Sequence, residues 1–141
     1  MSKRETTDTI VIHCTQTPPG MDVDVDKVTQ WHKDRGFDTI GYHYLIKRDG
    51  TLQEGRQQDE VGAHAVAVNG TSVGVALVGG GTSSMGWEDN FAPIQLETLK
   101  TILLKLKSEY EIEKIIGHYE VDDKKECPSF DVPKWLEKNN L

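Results

Sequence analysis

Two runs of the chain, TIVIHC at Thr9–Cys14 and SVGVALV at Ser72–Val78, leave the fold little choice. Short β-branched and apolar runs without breakers form strands buried on both sides. Such strands belong to a sheet covered by helices, so the segments between them have to supply those helices. The first run ends in TQTPPG, where Pro18, Pro19 and Gly20 mark a turn. Asp24 and Asp26 can each cap a helix running to about Arg35, with Gly36 as its stop. Val28, Trp31, His32 and Arg35 then share one face, with Trp31 read as core and His32 as a surface or packing histidine.

In GYHYLIKRDGTLQEGR, Tyr42–Lys47 reads as a strand, Arg48-Asp49-Gly50 as a hairpin turn and Thr51–Glu54 as the returning strand. Strict alternation puts Tyr42, Tyr44 and Ile46 on one side and His43, Leu45 and Lys47 on the other. Pro93 starts the longest helix, which continues to about Glu109 with Leu96, Leu99, Leu103, Leu106 and Tyr110 as its apolar stripe. Lys114–Gly117 is a short strand, and Asp131 can cap a last helix carrying Trp135 and Leu136. The expected fold is one α/β domain over residues 1–141, with a mixed, mainly parallel sheet of about five strands flanked by about three helices. Residues 1–8 are expected to form a polar N-terminal arm.

Composition narrows the function. A chain that is 36% hydrophobic and 28% charged has the make-up of a soluble globular protein. A net charge of −7 argues against a broad nucleic-acid face, which needs surplus cations against phosphate. No apolar run reaches the roughly 20 residues of a membrane helix, and MSKRETTDTI lacks the apolar segment of an export signal. The expected location is therefore the cytoplasm, as a monomer. Two cysteines, Cys14 and Cys127, make no disulfide framework, and a bridge between them is the minor alternative.

Between His118 and Asp131 the chain reads HYEVDDKKECPSFD. This charged loop contributes little to a core, yet it holds a histidine and a cysteine. His13 and His118 both lie at the ends of apolar strands, which places them on one rim of a parallel sheet. Two imidazoles and a thiolate suit zinc and disfavour magnesium or calcium, and three protein ligands are the number a catalytic zinc keeps. Cys14, His43 and His64 remain alternative fourth ligands, in which case the zinc would be structural. Alternatively, each histidine is simply a hydrogen-bonded polar group.

The ordered segments IVIHCTQT, WHKDRGF, GYHYLIKRDG, VGAHA, SVGVALVGG and HYEVDDKKECPSFD resemble the zinc-dependent N-acetylmuramoyl-L-alanine amidases of the type-two group. Peptidoglycan recognition proteins share that family's fold. The resemblance implies Zn2+ held by His13, His118 and Cys127, with Tyr42 and Lys125 as catalytic groups and His64 lining the substrate groove. It implies hydrolysis of the amide between N-acetylmuramic acid and L-alanine in peptidoglycan, as in phage endolysins. For phage members it also implies a second partner, a phage RNA polymerase. The alternative from the same fold is a module that binds peptidoglycan without cutting it. This sequence departs from the phage pattern in two places: the N-terminus is a few residues shorter, and the 118–127 loop is longer by one. Lys124 therefore competes with Lys125 for the catalytic position.

Overall fold

The structure, a computed structural model, describes residues 2–141. Five strands, β1 (Thr9–Cys14), β2 (Tyr44–Ile46), β3 (Leu52–Glu54), β4 (Ser72–Leu77) and β5 (Lys114–Gly117), form one sheet in the order β3-β2-β4-β1-β5. All neighbours are parallel except the β2–β3 hairpin, and β4 sits at the centre, in register with β1 from Thr9↔Ser72 to Cys14↔Leu77. Three helices, α1 (Val25–Asp34), α2 (Pro93–Glu109) and α3 (Val132–Lys138), cover it. This is the mixed, mainly parallel α/β domain expected from the two apolar runs.

The two faces of the sheet are built differently. On one, Ile10, Ile12, Tyr44, Ile46, Val73, Val75 and Leu77 pack against Leu99, Ile102, Leu103 and Leu106 of α2 and Val132 of α3. This is the main core, and the α2 stripe read from sequence is its lid, with Ile102 added. On the other face β4 offers only Ser72, Gly74 and Ala76 between its large residues, so the floor there is low. Helix α1 covers one side of that face, where Val28 packs with Leu45, Ala76 and Ile40. The long segment between β3 and β4 covers the other, with Ala65 and Val68 against Val11 and Ile116.

Asp24 caps α1 by accepting from the Lys27 N–H at 2.9 Å, and Asp131 caps α3 by accepting from Lys134 N–H at 3.0 Å. Gly36 ends α1 with φ +95°, a left-handed conformation that suits glycine. Within α1 the expectation fails at Trp31, while His32 takes the packing role. His32 is buried at 5% exposure while Trp31 is 36% exposed. The reason is local: His32 Nδ1 accepts the Gly41 N–H at 2.8 Å, tying the helix to the strand entry, which turns its neighbour outward.

Strict alternation also fails at Tyr42. β2 begins only at Tyr44, and Tyr42 packs with Leu45 and Ile40 on the low-floored face rather than beside Tyr44. Gly41 runs so close to the next segment that a Cβ there would meet the Ala63 carbonyl oxygen at 2.0 Å, so the chain bends before the strand starts. The described part of the N-terminal arm, residues 2–8, is docked rather than loose. Lys3 bridges antiparallel to Glu60, the Arg4 N–H donates to the Asp59 carbonyl at 2.8 Å, and the Arg4 guanidinium reaches the carbonyls of Gln58 and Glu60.

Two outcomes test this packing. Leu103→Ala removes a fully buried core side chain and should cost about 2–5 kcal/mol in denaturant unfolding. Leu104→Ala, one residue on and 50% exposed, should change stability by no more than about 0.5 kcal/mol. The second outcome concerns His43, wholly buried, whose Nδ1 accepts the Gly74 N–H at 3.0 Å. Burial holds its pKa down to about 4, against an ordinary 6.5. As pH falls, protons therefore bind the unfolded chain first. The stability contributed by the neutral ring is complete above about pH 6.5 and is lost progressively down to about pH 4, on the order of 3 kcal/mol from this group alone. Urea unfolding across that interval should show the loss; a flat profile contradicts it.

Candidate metal centre

His13 leaves β1 on the low-floored face, and the parallel neighbour β5 delivers His118 directly after its last residue. The two rings lie with centroids 4.6 Å apart. The 118–131 loop then folds back, Tyr119 N–H donating to the Cys127 carbonyl at 3.0 Å, which returns Cys127 to the end of β1. There its Sγ accepts the Cys14 backbone N–H at 2.9 Å. One potential ligand atom from each of His13, His118 and Cys127 lies within 4.8 Å of the other two, and no fourth metal-ligating residue joins this group among the described residues.

Burial shapes the chemistry. His13 is 1% exposed, and desolvation, reinforced by the neighbouring His64 and His118, holds its pKa well below the ordinary value. Burial lowers His118 as well, outweighing the Asp122 carboxylate 3.8 Å from its Nε2. Burial pushes the Cys127 thiol well up, because a thiolate there has lost its water. Neutral imidazoles are the form that binds a metal, and a divalent cation is what makes a buried thiolate affordable. The donor set, its mutual distances and its burial therefore fit zinc with one coordination position left over. Cys14 and Cys127 are both free thiols. Cys14, adjacent to His13, points to the Ser129 hydroxyl, its Sγ 3.8 Å from that oxygen.

Tyr42 reaches the same place from its bend, its ring centroid 5.0 Å from that of His13. Burial, then the Cys127 and Cys14 sulfurs, raise its phenol far above the usual range, so it stays protonated and acts as a donor. The group opens into a cleft of about 470 Å³, a volume in the range of small-molecule sites. Arg35, just past the end of α1, and Trp87 of the loop after β4 line it as well. Lys125 lines this cleft and a second one of about 500 Å³ beyond Trp87; Lys124 lines neither.

All the expected site residues, His13, Tyr42, His64, His118, Lys125 and Cys127, thus converge on one cleft, while His43 lies behind it. Sequence reading missed Ser72, whose hydroxyl lies 3.3 Å from His64 Nε2, and Trp87 on the wall. The signal for Ser72 was present: SVGVALV alternates small and large residues, and the small ones floor the site. His13 and His118 were expected on a rim at the strand ends. They do lie at the C-terminal ends of the parallel neighbours β1 and β5, and the low floor of the sheet face there leaves room for the His13 imidazole.

Comparison with known proteins agrees with this geometry. The family model described as N-acetylmuramoyl-L-alanine amidase matches residues 3–130. Among characterised sequences, the endolysin of Klebsiella phage KP32 is 46% identical over 140 residues, covering 99% of this chain and 92% of that one. The endolysin of Escherichia phage T7 is 45% identical over 139 residues, covering 99% and 91%. Among solved structures, the N-acetylmuramoyl-L-alanine amidase LysC from Clostridium intestinale superposes with a TM-score of 0.82 at 30% identity, covering 96% of this chain and 87% of that one. Drosophila PGRP-LB superposes with a TM-score of 0.76 at 26% identity, covering 91% and 78%. With its fold, its His-His-Cys group and a family match over most of its length, the chain belongs to the N-acetylmuramoyl-L-alanine amidases.

Proposed function

We propose that the protein is a zinc-dependent endolysin that cleaves the amide between the lactyl group of N-acetylmuramic acid and L-alanine in bacterial peptidoglycan. The observation that carries this reading is the close group of buried His13, half-buried His118 and buried Cys127 lining an open cleft. Those three residues would hold the ion. When bound, zinc supplies a Lewis acid that lowers the pKa of water to about 7 and polarises a carbonyl.

The chain's own residues do the rest. The Cys14 N–H fixes the Cys127 sulfur, and the 118–131 loop keeps that sulfur beside both histidines. The Tyr42 phenol, kept protonated by burial, has its O–H to offer as a donor in the cleft. It can orient the attacking water or meet the oxygen on which negative charge develops. Lys125, which also lines the cleft, carries an ammonium that can stabilise that charge or assist the departing alanine amine. No glutamate lines the cleft; its one carboxylate, Asp122, lies 3.8 Å from His118 Nε2, and Tyr42 and Lys125 are the groups we assign to proton handling. A recognition module that binds without cutting is the alternative; Cys127 and Tyr42, both in place, favour the enzyme. The family resemblance also implies a phage RNA polymerase as second partner, which a transcription assay with that polymerase reads directly.

Digests of purified peptidoglycan, read by mass spectrometry, should show stem peptides with new L-alanine amino ends, and a chelator should abolish them. New reducing sugars would replace the amidase reading with a glycosidase. Cys127→Ala should lose both zinc and activity; full retention of either contradicts the ligand set. Tyr42→Phe and Lys125→Ala should keep stoichiometric zinc while each lowers kcat by about 10²–10³-fold. Lys124→Ala, whose side chain lines neither cleft, should leave kcat near that of the unaltered protein.

A further inference from the structure

The hydrogen bonds around His64 define a direction. Ser72 is fully buried, and its hydroxyl donates to the Val68 carbonyl at 2.7 Å, the usual length for such a bond. The other contact of that oxygen, His64 Nε2, is longer at 3.3 Å. A hydroxyl has one proton, and the shorter contact holds it. His64 must therefore donate from Nε2 to the serine oxygen, which leaves His64 Nδ1 without a proton. That bare nitrogen lies 2.8 Å from His13 Nε2. Two ring nitrogens at this distance need a proton between them, so His13 carries its own on Nε2 and donates it. The remaining nitrogen of His13, Nδ1, keeps its lone pair.

We propose that Ser72 and His64 form an ordered relay which fixes the His13 tautomer and orients its ring, presenting Nδ1 to the metal. The inference rests on the reading of His13 as a ligand and adds two positioning residues behind it. It assigns His64 a different part from that of a groove residue, because both its ring nitrogens are engaged by protein groups.

The slot for the ring is built to hold it. A Cβ on Gly74 would stand 2.6 Å from His64 Cγ, and one on Gly62 would stand 2.6 Å from its Cδ2. Neither position admits a side chain while the ring is present. The backbone is clamped as well, since the N–H groups of His64 and Ala65 both donate to Asn69 Oδ1 at 2.9 Å. A ligand histidine whose distal nitrogen is held in this way is oriented before the ion arrives, and partners of this kind typically change metal affinity by about 10–100-fold.

The test reads protons first and metal second. Nitrogen-15 NMR of the metal-free protein at neutral pH should place protons on Nε2 of both His13 and His64. A through-hydrogen-bond coupling should connect His13 Nε2 to His64 Nδ1. A proton on His64 Nδ1 overturns the relay, whether or not the protein binds zinc. Zinc affinity by chelator competition should then fall about 10–100-fold in His64→Leu. It should recover to within about threefold in His64→Asn, whose amide oxygen can accept from His13 Nε2. Wild-type affinity in His64→Leu, or equal losses in both variants, would leave His64 as packing alone and overturn the proposal. Absence of zinc binding by the unaltered protein would instead overturn the metal reading, which the proton positions do not measure.

Discussion

A group of imidazoles can be buried over a sheet only if its polar atoms find partners, and that condition organises this protein. His13, His32, His43 and His64 are all under 9% exposed. Each is met by a specific group: Gly41 N–H for His32, Gly74 N–H and the Glu60 carbonyl for His43, and Ser72 and His13 for His64. No buried side-chain nitrogen or oxygen lacks a partner among the described residues. The low-dielectric cost of such a cluster is thus offset bond by bond. What the protein does not offset internally is the buried sulfur of Cys127, whose ionised form calls for a cation.

The division of labour between the sheet faces follows from this. One face is a conventional apolar core under α2 and α3, and it carries the stability. The other gives up large side chains at Ser72, Gly74 and Ala76 to make room for rings, and it carries the chemistry. The docked arm supports that second face from behind. Arg4 shares the Glu60 carbonyl with His43 and so braces the segment that holds His64.

Much of this could be read from the sequence, for identifiable reasons. The apolar runs at β1 and β4, Pro93 at the start of α2 and the caps at Asp24 and Asp131 are local signals, and local signals survive without a partner. The proposed donor set could be picked out because few residue types bind zinc, and because both histidines stand at strand ends while Cys127 stands in a charged loop that has little to offer a core. The misreadings share another cause. Whether Trp31 or His32 turns inward depends on the Gly41 N–H, and the side taken by Tyr42 depends on how close Gly41 runs to Ala63. Both are set by chain segments distant in sequence, which periodicity does not see. The roles of Ser72 and His64 likewise depend on which atom donates, a property of distances rather than of residue types.

Everything proposed for the cleft depends on His13, His118 and Cys127 together holding one zinc ion. Anomalous diffraction at the zinc edge from crystals of the zinc-loaded protein tests it most directly. The expected result is a single peak bonded to all three residues, with a zinc–sulfur distance of about 2.3 Å. A peak elsewhere, or a Cys14–Cys127 disulfide where the sulfur ligand should be, would contradict it.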